Sequence, residues 1–194
     1  MCNLYTQTKS VDAIAQLFRD MGMQLSFPEG LPNLPPRDVA ITDPAPIVRS
    51  AANGYELVVR RWSWPGPGGK PVYNFRSDGR EFGSGRCLIV TDGFYEFTKP
   101  ADSKQKRKDR WLFTSPREPL LGIAGLVRPV PEFGEAFTML TAEPGPDVVP
   151  YHSRQVAVLP GSAWRDWLDG TARAGELIGA LPAGTLQVQA APRT

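Results

Sequence analysis

The chain has 194 residues, 41% of them hydrophobic and 22% charged, with a net charge of +2. Such a composition describes a soluble globular chain long enough to bury one sizeable core, and a single domain spanning 1–194 is expected. The charge is too small to argue for a nucleic-acid partner by itself, two cysteines make no disulfide framework, and no run of about 18 apolar residues could span a membrane.

In chain order, Val11 to Met21 place Val11, Ile14, Leu17, Phe18 and Met21 on one helical face, with Ser10 as N-cap and Gly22 as stop. The stretch from Pro28 to Pro46 carries Pro28, Pro32, Pro35, Pro36, Pro44 and Pro46. It reads as an extended, ordered connection, with a flexible linker as the alternative. Strand-like runs follow at Glu56–Trp64, Arg86–Phe97, Trp111–Ser115, Leu120–Val127, Phe137–Ala142 and Gln155–Leu159. Ser162–Asp169 and Ala172–Leu181 read as helices, the second weakened by Gly175 and Gly179, and Thr185–Ala190 reads as a returning strand. The order predicts an α+β fold, one compact domain of mainly antiparallel β-sheet with flanking helices. The amino end lacks the basic and apolar segments of a signal peptide, so a reducing cytoplasm is the expected location.

Cys2 follows the initiator directly. A small second residue commonly permits removal of Met1, which would leave an N-terminal cysteine with an α-amine and a thiol on adjacent carbons. The amine condenses with an aldehyde to an imine, and the thiol closes onto the imine carbon as a five-membered thiazolidine. An internal cysteine cannot do this, because its nitrogen is locked in an amide. Position alone favours the plainer reading, a chance residue in a frayed terminus.

Other segments carry paired readings. Glu96, between aromatics in Gly93-Phe94-Tyr95-Glu96-Phe97, suits acid–base work if buried, or faces solvent beside a basic residue. His152, the one histidine, is a proton carrier at neutral pH or an ordinary loop residue. Asn74 is placed to orient a carbonyl and Arg76 to clamp a phosphate, against a turn Asn beside a surface Arg. Arg61 and Trp62, in Arg60-Arg61-Trp62-Ser63-Trp64, mix cations and indoles as single-strand platforms do, and as ordinary sheets also do. The basic run from Lys99 to Arg110, with Asp102 and Asp109 inside it, reads as a solvated loop. No metal-ligand spacing occurs, and neither metal nor cofactor is expected.

Together these segments resemble the SRAP family, the SOS-response-associated peptidases or abasic-site processing proteins. The match rests on Met1-Cys2, Arg61-Trp62, Asn74-Phe75-Arg76-Ser77, Arg86-Cys87-Leu88-Ile89 leading to Asp92-Gly93-Phe94-Tyr95-Glu96-Phe97, and His152-Ser153-Arg154. The resemblance implies a compact assembly of coiled sheets and a thiazolidine crosslink between Cys2 and the aldehyde of an abasic site in single-stranded DNA. It further implies that Asn74 holds the terminus or the sugar, Glu96 acts as acid–base group, and His152 assists ring opening and reversal. Arg76, Arg61, Trp62 and Arg154 are the implied DNA contacts, and the protein is expected to act as a monomer. Departures from the family pattern are Asn3-Leu4 for Gly-Arg, Phe75 for Ala, Asp78 for Glu, Phe97 for Trp, and Gln155 for Met. Two alternatives stand beside this reading. One is a thiol peptidase using Cys2 and His152, with removal of its own Met1 as its narrowest form. The other is a nucleic-acid binding module without chemistry.

Overall fold

A computed structural model describes residues 2–100 and 104–191; Met1 and Asp102, both used above, lie outside the described residues. The helix Val11–Asp20 forms where the apolar spacing demands. Ser10 Oγ accepts the Ala13 N–H at 3.3 Å, and Val11, Ile14, Ala15 and Phe18 are buried.

Most of the chain is sheet. A five-stranded sheet runs in the order Gln187–Ala190, Asp109–Thr114, Gly93–Thr98, Leu4–Gln7, Arg37–Ala40, every pairing antiparallel. In the larger sheet, Gly134–Ala142, Leu121–Val130, Arg86–Thr91, Pro44–Ala51 and Gly54–Trp62 pair antiparallel in that order. The parallel pairing of Ala136 with Arg61 and Phe137 with Trp62 then joins the last strand to the first. Five strands therefore close into a ring, which leaves few open edges. Asn74–Arg76 adds to this ring in parallel beside Met139–Thr141.

Four readings of the sequence change. The run Arg86–Phe97 is two strands, Arg86–Thr91 and Gly93–Thr98, lying in different sheets. The chain passes between sheets at Asp92-Gly93, where a Cβ on Gly93 would meet Phe113 O at 2.4 Å, so only glycine fits. The proline-rich connection contains the strand Arg37–Ala40 and opens the strand Pro44–Ala51. Pro44 and Pro46 precede Val48 and Arg49, the residues that pair with Arg86–Thr91, so their missing N–H groups break no bond on that side. The helix expected over Ala172–Leu181 shrinks to Ala174–Leu177, which contains Gly175 and ends before Gly179. The short strand Leu4–Gln7 was not expected.

Candidate active site around Cys2

The strand Leu4–Gln7 positions everything that follows. Tyr5 opposes Phe94, and Thr6 opposes Gly93. Asp92 pins the outer end, accepting the Thr8 Oγ1 hydroxyl at 2.8 Å as well as the Thr8 backbone N–H. Tyr5 packs edge-on against Trp62, with centroids 5.2 Å apart. The chain that precedes this strand is thereby delivered into the core, and Cys2 is only 1% exposed.

Alternation along Gly93–Thr98 decides the second residue. Phe94 and Glu96 project to one face, Tyr95 to the other. Phe94 is core, so Glu96 is carried inward beside it and is 1% exposed. Its carboxylate accepts the backbone N–H of Cys2. Burial drives its pKa up from 4.5 to about 7, against the positive charge of the amino terminus and the Cys2 N–H, which act downward. A carboxyl that is half ionised near neutral pH thus rests on the nitrogen of Cys2.

Asn74 fixes the other side of the same residue. Its Nδ2 donates to Cys2 O at 2.7 Å, while Oδ1 is buried with no hydrogen-bond partner among the described residues. The thiol donates to Leu4 O at 3.2 Å. Burial, and then the Glu96 charge, push its pKa up to about 12, so the sulfur is held as a neutral thiol.

His152 stands in the segment whose Tyr151 packs on Trp111 and Phe113, with centroids 4.9 and 5.3 Å apart. Trp111 is the residue paired with Glu96, so the histidine is brought to the Glu96 strand by its neighbour. Its Nδ1 lies 3.0 Å from both the backbone nitrogen and the oxygen of Arg154. Burial lowers its pKa, and the positive charges of the amino terminus and Lys108 act in the same direction. At neutral pH the ring is a neutral imidazole. Arg76 projects to the same face of its strand as Asn74, two residues on, and is exposed. Phe75 points to the opposite face.

Three of the expected DNA contacts are placed otherwise. Trp62 is fully buried and cannot offer a ring to a base; its indole N–H donates to Tyr73 O at 3.0 Å, which holds the residue before Asn74. Arg154 is 8% exposed, and its guanidinium forks onto the Asp78 carboxylate and donates to Thr141 O at 2.9 Å. It braces the His152 turn against the Asn74–Arg76 segment, and its hydrogen bonds, then its charge, hold the Asp78 carboxyl below the usual range. Arg61 is half-exposed, donates to Thr42 O at 3.2 Å and lies over the Phe133 ring, away from Cys2 in every described contact. Both errors of burial share one cause: basic and aromatic residues near a motif look alike whether they face a ligand or brace the residues that do. Asp78, Thr141 and Asp92 were missed as supports, because nothing local shows which distant group a carboxylate or hydroxyl will meet.

The comparisons bear on this arrangement. A family model described as SOS response associated peptidase (SRAP) matches residues 1–191. The chain belongs to the SRAP family. Its fold is shared with solved structures from the same broad mould. A Bordetella bronchiseptica protein is 24% identical with a TM-score of 0.74, covering 99% of this chain and 100% of its own. A Bacteroides thetaiotaomicron protein is 16% identical with a TM-score of 0.75, covering 97% and 91%. A phage-related protein from Bordetella bronchiseptica is 20% identical with a TM-score of 0.74, covering 99% and 95%. No curated protein matched the sequence. SRAP membership associates the chain with the SOS response, and so with DNA damage. Among the described residues no helix is long and apolar enough to cross a membrane.

Proposed function

We propose that this SRAP protein, with Met1 removed, captures abasic sites in single-stranded DNA by a covalent thiazolidine at Cys2. The observation that carries the reading is the hydrogen bond from the Cys2 backbone nitrogen to the buried Glu96 carboxylate. That nitrogen becomes the α-amine when Met1 leaves, and it already sits on a carboxyl whose pKa of about 7 suits proton transfer in both directions.

The chemistry balances with these groups alone. The amine lone pair adds to the aldehyde carbon of the ring-opened sugar, and Glu96 takes the proton that the nitrogen sheds. Glu96 passes that proton to the carbonyl oxygen, giving the carbinolamine, and then relays the second N–H proton to the departing hydroxyl, so one water leaves and an imine forms. The thiol then adds across the C=N bond: sulfur bonds to carbon, and its proton ends on nitrogen. A thiol with a pKa near 12 needs a base at this step, and Glu96 is the carboxylate whose charge reaches it. Asn74 holds the Cys2 carbonyl so that nitrogen and sulfur stay on the same side of the incoming carbon. His152 serves sugar ring opening and reversal, and Arg76 contacts a phosphate. Trp62 and Arg154 position Asn74 and His152. The peptidase alternative calls for a thiolate beside an imidazolium, and the raised thiol and lowered imidazole pKa values favour the opposite protonation of both.

The test is intact mass after incubation with an abasic single-stranded oligonucleotide. The expected product is stable in SDS and weighs the Met1-free protein plus the strand minus one water. Met1-free protein that yields no such adduct would overturn the proposal.

A further inference from the structure

Behind the strand Asn74–Arg76, on the face turned away from Cys2, lies a groove of about 1350 Å³ lined by Trp64, Phe75, Arg80, Phe82, Arg86 and Arg128 among others. Its carboxylates are already engaged. Glu56 and Glu135 pair with Arg49, Glu135 also with Arg60, and Glu81 with Arg86 and Arg173. Asp169 accepts hydroxyls from Tyr55 and Ser50.

Two guanidiniums escape this neutralisation. Arg80 lies 5.1 Å from the centroid of Phe75, and Arg128 lies 4.2 Å from that of Trp64. Both arginines are exposed, and neither joins an ion pair among the described residues. Phe75 and Trp64 pack in one apolar cluster, so the two cations are neighbours. Each is held over a ring, which lowers the entropy lost when it binds and leaves N–H edges for an anion, apart from the Arg128 Nη2 that donates to Pro65 O at 3.4 Å. Phe82, half-buried, stands edge-on to Phe75 with centroids 6.4 Å apart and adds aromatic surface beside them. Fixed guanidiniums interleaved with aromatics match the repeating phosphates and bases of a single strand.

The groove also continues from the site. Arg76 and Arg80 flank the turn closed by the Arg80 N–H to Ser77 O bond at 3.0 Å. Four residues of chain reach at most about 14 Å, and a stacked strand advances about 3.4 Å per nucleotide. We propose that this groove is a second nucleic-acid subsite, holding the same single strand within about four nucleotides of the phosphate at Arg76. The inference rests on single-stranded DNA as the partner of the Cys2 site, but it does not need the crosslink.

The experiment measures binding of intact single strands, short (about 4 nucleotides) and long (about 20), to the Cys2→Ala protein as parent, across salt concentration. The parent should gain affinity with length. An added Arg80→Ala/Arg128→Ala pair should cost about tenfold on the long strand and almost nothing on the short one. It should also reduce the salt slope by about 1.4, the value for two phosphate contacts at ~0.7 each. Arg80→Lys/Arg128→Lys should restore most of the slope, since it keeps the charges. Equal affinity and slope for the alanine pair and the parent would overturn the subsite. Adduct formation on a short abasic strand is measured beside it, with Cys2 intact. An adduct at the parental rate in the Arg80/Arg128 variant, together with normal long-strand binding, refutes the groove alone. Loss of the adduct in the Cys2-intact protein with Arg80 and Arg128 unchanged refutes the reading of Cys2 and leaves the binding result to judge the groove.

Discussion

Cys2 and Cys87 are both buried, both free, and both have thiol pKa values raised by burial, yet their surroundings differ in kind. Cys87 sits inside the strand Arg86–Thr91, at 0% exposure, packed among the apolar side chains of the ring of strands. Beyond burial, it feels the charge of Arg49, the residue paired with it across the sheet, which acts downward. Cys2 is equally hidden, but Glu96 rests on its nitrogen, Asn74 on its carbonyl, and Leu4 O on its thiol. Burial alone makes a cysteine inert. What distinguishes the amino-terminal region is a set of polar groups buried with the cysteine and aimed at its backbone, which is a costly arrangement unless each has a partner or a task.

The largest expected effect breaks the comparison outright. Cys2→Ala should abolish the SDS-stable adduct, while Cys87→Ala should retain it, with a stability loss as its main consequence. A gel of both variants after incubation with abasic single-stranded DNA decides this. Persistence of the adduct in Cys2→Ala would remove the thiazolidine from consideration.

Next in size is Glu96→Gln, which keeps the shape of the side chain and removes its titration. Adduct formation should slow by about 10²–10⁴, the usual contribution of a positioned proton carrier, with binding to an intact strand unchanged. The parental rate should rise with pH through about 7 as Glu96 becomes a base, and this inflection should vanish in the variant. Equal losses of rate and binding would make Glu96 a binding residue.

Asn74→Ala removes one neutral hydrogen bond to the Cys2 carbonyl. Such a bond contributes about 0.5–1.5 kcal/mol net, so the rate should fall by up to about tenfold. A single-turnover time course at saturating DNA isolates this from binding. A full loss of activity with normal folding would give Asn74 a direct chemical part instead.

The smallest effect is on stability. The folded-state pKa of Glu96, about 7, lies above its ordinary 4.5, so folding favours the protonated acid. Its contribution is complete below about pH 4.5 and is lost as pH rises through about 7, at most about 3 kcal/mol. Melting curves should show the parent losing stability relative to Glu96→Gln between pH 5 and pH 8. Parallel pH dependence in the two proteins would show that the carboxyl is not the buried acid described.

Local pattern was enough for several parts. The 3.6-residue spacing and Ser10 cap gave the helix Val11–Asp20, and alternating apolar residues gave most strands to within a few positions. The aromatic setting of Glu96 marked it as a candidate but left burial and exposure even, and the place of Cys2 in the chain pointed to its two nucleophiles. Other parts were illegible for identifiable reasons. Pro44 and Pro46 concealed a strand, because which N–H groups a strand can spare depends on its neighbour. Asp92-Gly93 concealed the passage between sheets, because that depends on the backbone of Phe113 standing 2.4 Å from where a Cβ would be.

By itself, then, the sequence determined the chemistry available: an amine and thiol that Cys2 can present together, a carboxyl between aromatics at Glu96, one imidazole, and a mainly antiparallel α+β fold. Tertiary structure decided which groups meet. It set Glu96 on the Cys2 nitrogen and Asn74 on its carbonyl, turned Trp62 and Arg154 from surface contacts into buried braces, and put Phe75 behind the site with Arg80. Periodicity records only which face of its own element a side chain takes. Contacts between distant segments are fixed by strand pairing and ring closure, where the requirement to satisfy every buried polar group selects one partner among many.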